Sequence, residues 1–239
     1  MRPFSCLSFM PAPRVVFFDL GQTLVSGLER SARALLSERL GLSEKQAKLV
    51  GKLIMVHRSV DSRQLSGAIS RLLPDRDPAE IETHLSSLWR EQEMSVTALP
   101  GAASLVRSLK SLGIKTGIIS NAWHPFHSGF LRSCGELAGL FDFQLLSYRQ
   151  ECKKPSTALF RRALSEAGEA APHAWMVGDC YELDIEPALK IGMHAIWLLR
   201  RPEKEIPLLA RVLRGEKRSP DYTAEYLGEI QSFFTRDNR

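Results

Sequence analysis

The sequence predicts an α/β fold: a parallel sheet flanked by helices, with an α-helical block inserted after the first strand. Three observations predict it. Short, continuous apolar runs recur along the chain, segments of helical periodicity separate them, and residues 27–96 read as helices alone. Strands alternating with helices make βαβ units and hence a parallel sheet.

The strands are read first. RVVFFD (14–19), KTGIIS (115–120), FDFQLLS (141–147), AWMVGD (174–179) and HAIWLL (194–199) are short and continuous rather than alternating. That pattern belongs to strands buried on both faces. The helices between them carry stop signals. ASLVRSLKSLG closes at Gly113, PSTALFRRALSEAG at Gly168, and ELDIEPALKIG (182–192) at Gly192. Glycine just past the last periodic residue is a helix C-cap. In the last of these, Pro187 sits near the start, where proline is tolerated.

The block from 27 to 96 differs. ERSARALLSERLG, SEKQAKLVGKLIMVHRS, the stretch 61–73 and PAEIETHLSSLWREQ follow one another with no convincing strand. The expected organisation is an N-terminal extension (1–13), an α/β core (14–26 and 97–239) and a helical subdomain (27–96).

Composition bounds the function. The chain has 239 residues, 44% hydrophobic and 25% charged, as an ordinary globular protein does. No apolar run approaches the ~20 residues that span a bilayer, so no membrane partner is expected. MRPFSCLSFM has a short, interrupted apolar stretch and no small-residue cleavage site. It reads as a ragged start, with Met10 as an alternative first residue. Cys6, Cys134, Cys152 and Cys180 have neither metal-ligand spacing nor the density of a disulfide scaffold, and the expected location is the reducing cytoplasm. The net charge is +5, with basic clusters at RRPEK and RVLRGEKR. No base-stacking motif or zinc-finger spacing accompanies them, so they read as solvated surface and no nucleic acid is expected. The sequence carries no signature of oligomeric state.

The polar residues at strand ends point to chemistry. The first strand ends in Asp19, the second in Ser120-Asn121, and the fourth in Asp179, with Asp184 five residues on. Lys153-Lys154-Pro155 follows the third. Ligands of open parallel sheets bind beyond the carboxyl ends of the strands, so Asp19, Ser120, Lys154, Asp179 and Asp184 are expected to converge. Three carboxylates in one place call for a cation, and an all-oxygen set favours Mg²⁺. Lys154 and Ser120 suit a phosphate or a developing anion, which leaves Asp19 free to attack as a nucleophile. Each element alone is more often a turn or cap residue. Their occurrence in order, each at a strand end, carries the functional reading.

These motifs resemble the haloacid dehalogenase-like (HAD) hydrolase superfamily. FFDLGQTLV, IISNAW, KKPSTALF and MVGDCYELDIEPALKIGM look like its four motifs in order, and SPDYTAEYLGEI looks like its last strand and helix. The helical block lies where one subclass carries its cap. The resemblance implies a Rossmann-like core with Asp19 as nucleophile, and Ser120 and Lys154 holding the phosphoryl group. It implies Mg²⁺ on Asp19, the Gly21 carbonyl and Asp179, with Asp184 ligating directly or through water, Thr23 orienting the nucleophile's loop, and Asn121 and the cap facing a small phosphorylated substrate.

Gly21 departs from the pattern. The superfamily's phosphatases carry a second Asp there as proton shuttle, help of a kind that contributes typically ~10²–10⁴-fold. Gln22 does not titrate. His124, His127 and the cap's His57 are the available substitutes, with His124 first. The resemblance therefore leaves three readings. One is a phosphatase for a monoester or acyl phosphate. Another is a dehalogenase-like or phosphonatase-like reaction, for which Lys45, Lys48 and Lys52 are the cap lysines. The last is a degenerate protein that binds a phosphorylated ligand or a partner.

Overall fold

A computed structural model describes residues 11–236; Cys6, the alternative start at Met10 and most of the N-terminal extension lie outside the described residues. The strands are, in chain order, β1 (Val15–Phe18), β2 (Val25–Ser26), β3 (Thr97–Ala98), β4 (Lys115–Ser120), β5 (Phe143–Leu146), β6 (Ala174–Gly178), β7 (His194–Leu198) and β8 (Tyr222–Ala224). Six of them form a parallel sheet of order β5-β4-β1-β6-β7-β8. The chain winds outward from β1 through β4 to β5, then returns to β6 and winds the other way. β1 therefore stands at the reversal point, where α/β sheets open a crevice.

The burial of β1 follows from its sequence. All four residues are fully buried. Val16 and Phe18 face one apolar core, with Ile118 and Val177, while Val15 and Phe17 face the other, with Ile119 and Met176. Side chains alternate across a strand, so a continuous apolar run serves both layers. Helices α5 (Ala102–Ser111) and α12 (Leu227–Arg236) cover the first core. Helix α9 (Thr157–Ala167) and the short α10 (Glu186–Lys190) cover the second. The glycine stops at 113, 168 and 192 all take left-handed φ, between 66° and 86°.

The inserted block is four helices: α1 (Ala32–Arg39), α2 (Glu44–Val56), α3 (Ser62–Leu72) and α4 (Pro78–Met94). Ser31, Ser43, Asp61 and Asp77 cap their N-termini through side-chain oxygens. Their apolar faces form a third core around Leu36, Ile54, Ile69, Leu85 and Leu88. Trp123, from the loop after β4, is buried in that same core. Its Nε1 donates to Gln92 Oε1 of α4 at 3.1 Å, and its ring meets Trp89 edge to face. Strands β2 and β3 pair antiparallel where the chain enters and leaves the block, and Ser26 Oγ lies 2.6 Å from Thr97 Oγ1.

The remaining helices are α6 (His124–Ser133), α7 (Gly135–Ala138), α8 (Ser147–Gln150) and α11 (Pro202–Leu213). The expected helix over 182–192 is instead a π turn, Tyr181–Ile185, followed by α10. The third strand is shorter than expected. Asp142 uses its carboxylate to accept from Thr116 N at 2.9 Å, and Ser147 already begins α8. No helix among the described residues is long and apolar enough to cross a membrane.

Candidate active site

Asp19 follows β1 directly, and its backbone N–H donates to Val177 O at 2.9 Å, which fixes it to β6. The chain then turns tightly. Leu24 and Val25 both donate to Leu20 O at 3.0 Å, and Gln22 takes a left-handed φ of 61°. Thr23 is fully buried in this turn, and its hydroxyl has no protein partner. Gly21 does not need left-handed freedom. A Cβ there would meet the Phe126 ring at 3.5 Å, an ordinary contact, so neither backbone nor space requires glycine.

Lys154 arrives from the loop before α9. Asn121, at the end of β4, holds that loop from both sides: its Oδ1 accepts from Lys154 N at 2.8 Å and its Nδ2 donates to Lys154 O at 3.1 Å. The Lys154 side chain is 2% exposed, and its Nζ donates to Asp19 Oδ1 and Asp184 Oδ1, each at 2.6 Å. Burial alone pulls the ammonium's pKa down, but the charges of Asp184 and Asp19 outweigh it and carry the pKa above its ordinary value. The lysine is therefore a fixed positive charge. Ser120, also buried, ends β4 beside β1.

Asp184 sits on the π turn. That wide turn folds its carboxylate back over Gly178, and Oδ2 accepts from Cys180 N at 3.1 Å. A Cβ on residue 178 would overlap the Asp184 carboxyl, so the close approach depends on glycine. Burial raises the Asp184 pKa above the usual carboxylate range, against the pull of Lys154. Asp179 is also raised, by burial first and by the Asp19 charge second, with the Arg201 guanidinium opposing through a direct ion pair. Carboxylate oxygens of Asp19, Asp179 and Asp184 lie within 4.8 Å of one another. This all-oxygen donor set, backed by two cations, fits a hard divalent ion.

The structure thus brings Asp19, Lys154, Asp179 and Asp184 together, with Ser120 and Asn121 at the end of the adjacent strand. The histidines fall elsewhere. His57 Nδ1 pairs with Ser59 Oγ within the cap. His127 is buried, accepting from the Tyr148 hydroxyl and donating to Gln144 Oε1. His124 stacks on Trp89 and lines a separate pocket with Arg58 and Arg149. None lines the crevice at Gly21. Lys45, Lys48 and Lys52 are exposed on α2. Three contributors were not singled out from the sequence: Gly178, Arg201 and Phe126. The first lies within the MVGD motif itself; the other two carry no local signal.

The crevice between the layers has a volume of about 230 Å³. Gly21, Gln22 and Asn121 line it from the core, and Leu28, Met55 and Gln92 from the cap side. Ser147 ties the two layers beside it, with its hydroxyl accepting from Ala122 N at 3.1 Å and donating to Met55 O at 2.5 Å.

Comparison with known proteins agrees with this fold. The sequence profile of haloacid dehalogenase-like hydrolases matches residues 13–192. A glyceraldehyde 3-phosphate phosphatase of Pyrococcus furiosus is 25% identical over 233 residues, 94% of each chain. The magnesium-bound HAD-hydrolase YfnB of Bacillus subtilis superposes with a TM-score of 0.62 at 20% identity, covering 94% of this chain and 100% of its own. A 2-haloacid dehalogenase of Pseudomonas syringae gives 0.62 at 21% identity, covering 94% and 99%. The chain belongs to the haloacid dehalogenase-like hydrolase family.

Proposed function

We propose that this hydrolase is a Mg²⁺-dependent phosphatase of a small phosphorylated metabolite, reacting through an aspartyl phosphate at Asp19. The observation that carries the proposal is the buried ammonium of Lys154, shared equally between Asp19 and Asp184 beside a third carboxylate. Attack by one carboxylate needs its neighbours' charge compensated and the phosphoryl oxygens neutralised. Lys154 does the first in the resting site and serves the second when substrate enters. The similarity to a glyceraldehyde 3-phosphate phosphatase supports a small phosphorylated substrate.

In this reading an Asp19 oxygen attacks phosphorus and the bond to the leaving oxygen breaks. Ser120 and Lys154 hold the phosphoryl oxygens, while Asn121 fixes the lysine loop. Asp19, the Gly21 carbonyl, Asp179 and Asp184 would hold Mg²⁺, which supplies charge for the phosphoryl oxygens. Water then releases phosphate and restores Asp19. The crevice is below the ~300–1,000 Å³ usual for drug-sized ligands, which supports a small substrate. The free thiols of Cys134, Cys152 and Cys180 suit a reducing cytoplasm.

The test is phosphate release from acetyl phosphate, p-nitrophenyl phosphate and a panel of sugar and triose phosphates, with and without Mg²⁺. Wild type should release phosphate only with Mg²⁺, and Asp19→Asn should release none. A second reading draws on the apolar crevice wall (Leu28, Met55, Trp123, Phe126) beside a position without a carboxylate. Both features suit attack at carbon, and halide release from 2-haloalkanoic acids would identify it.

A further inference from the structure

We infer that the crevice is an apolar seat without a proton donor, with Phe126 as its specificity-determining wall, and that it selects acyl and aryl phosphates whose leaving group departs as a stable anion. This inference rests on the phosphatase reading above and narrows its substrate class.

Phe126 is the second residue after the start of α6, and its ring is laid against two glycines. A Cβ at Gly21 would stand 3.5 Å from Phe126 Cζ, and one at Gly27 would stand 3.1 Å from Cε2. The ring therefore fills the space beside the turn that follows Asp19, two residues from the attacking carboxylate. It packs against both the sheet core and the cap core, so it is held from both sides. Trp123, Met55 and Leu28 continue the same apolar wall.

Apart from Gln22, whose amide does not titrate, the polar groups on the wall are already engaged within the protein. Asn121 spends its amide on the Lys154 backbone. Gln92 accepts from Trp123 Nε1 and donates to Ser95 Oγ at 3.2 Å. Ser31 Oγ caps α1, accepting from Ala34 N. Arg30 is paired with Glu38 at 2.5 Å. Among the described residues lining the crevice, arginine is the one ionisable type, and a guanidinium does not give up its proton near neutrality. An incoming group finds no charge to pair with and no acid to protonate it.

The consequence is a constraint on the first step. Asp19 forms its bond to phosphorus, the bond from phosphorus to the leaving oxygen breaks, and that oxygen keeps the electron pair. Without a proton, the departing oxygen must be stable as an anion. Carboxylic acids ionise near ~4 and phenols near ~10, so acyl and aryl phosphates satisfy the condition, and alkyl phosphates do not. The second step, attack of water on the aspartyl phosphate, lacks a side-chain base in the crevice and limits turnover of the acyl and aryl phosphates that pass the first.

The experiment compares benzoyl phosphate with benzyl phosphate, which present the same ring with different leaving groups. Acetyl phosphate and glyceraldehyde 3-phosphate are added, with Mg²⁺ present throughout. For wild type, kcat/KM for benzoyl phosphate should exceed that for benzyl phosphate by at least ~10², the typical worth of general acid help. A pre-steady-state burst of benzoate should approach one per active site. Phe126→Ala should erase the preference for benzoyl over acetyl phosphate, mainly through KM, and Phe126→Leu should restore part of it. Benzyl phosphate or glyceraldehyde 3-phosphate turning over as well as benzoyl phosphate would uphold the phosphatase reading and overturn this one. No phosphate release from any of the four would overturn both.

Discussion

Asp184 folds its carboxylate over Gly178 so closely that a Cβ at position 178 would overlap it. The contact places Asp184 next to Lys154, and it exists because the chain widens into a π turn at Tyr181–Ile185. Gly178→Ala must push the carboxylate or the turn aside. Overpacking of this kind costs ~1–3 kcal/mol. The expected result is a lowered urea midpoint together with a loss of activity larger than the loss of stability explains, checked by denaturation and assay of the same preparation.

Lys154→Ala removes the cation shared by Asp19 and Asp184 while leaving both acids in place. Breaking a buried pair costs ~3–5 kcal/mol, and losing a preorganised charge costs at least ~10² in rate. Urea unfolding and steady-state kinetics read the two effects separately. Lys154→Arg should not restore activity, because the pocket fits an ammonium that is 2% exposed.

Arg201 precedes α11 and reaches back to Asp179, one of the three clustered carboxylates. Its guanidinium is one-third exposed, so the pair is screened and worth about 1 kcal/mol. Arg201→Ala removes a cation that competes for Asp179. Divalent cation binding, measured by calorimetry with Mg²⁺ alone, should tighten roughly fivefold. Asp179→Asn should abolish that binding heat and slow turnover by at least ~10².

Burial holds the His127 imidazole down to about 4, against an ordinary 6.5. Above pH 6.5 the ring is neutral in folded and unfolded chains alike. As pH falls from 6.5 toward 4, the unfolded chain takes up a proton that the folded chain refuses, so stability falls; below 4 both are protonated and the loss levels off. The full effect is on the order of 3 kcal/mol. Urea midpoints of wild type should drop across this window, and those of His127→Gln should drop less.

The strand framework was legible because burial on both faces writes itself as an unbroken apolar run, as in VVFF at β1. The helix stops were legible because Gly113, Gly168 and Gly192 take a backbone conformation that few other residues accept. The strand-end acids and Lys154 were legible because parallel sheets gather such residues at one edge. The pair β2–β3 was not, since two residues are too few to show a period. The π turn left no trace in the pattern of ELDIEPALKIG, because the Gly178–Asp184 contact it makes possible lies outside that segment's own periodicity. Trp123 reads as a loop residue and serves as cap core, a role set by Gln92 and Trp89 across the layer. Phe126 likewise gains its meaning only from the two glycines it covers.

In the proposed reaction Asp19 carries the phosphoryl group. The most direct measurement is peptide mass spectrometry after wild type is mixed with acetyl phosphate and Mg²⁺ and quenched in acid within the first turnover. One phosphoryl group is expected on Asp19 and none in Asp19→Asn. A phosphoryl group on another residue, or rapid phosphate release with no modified peptide, would contradict it.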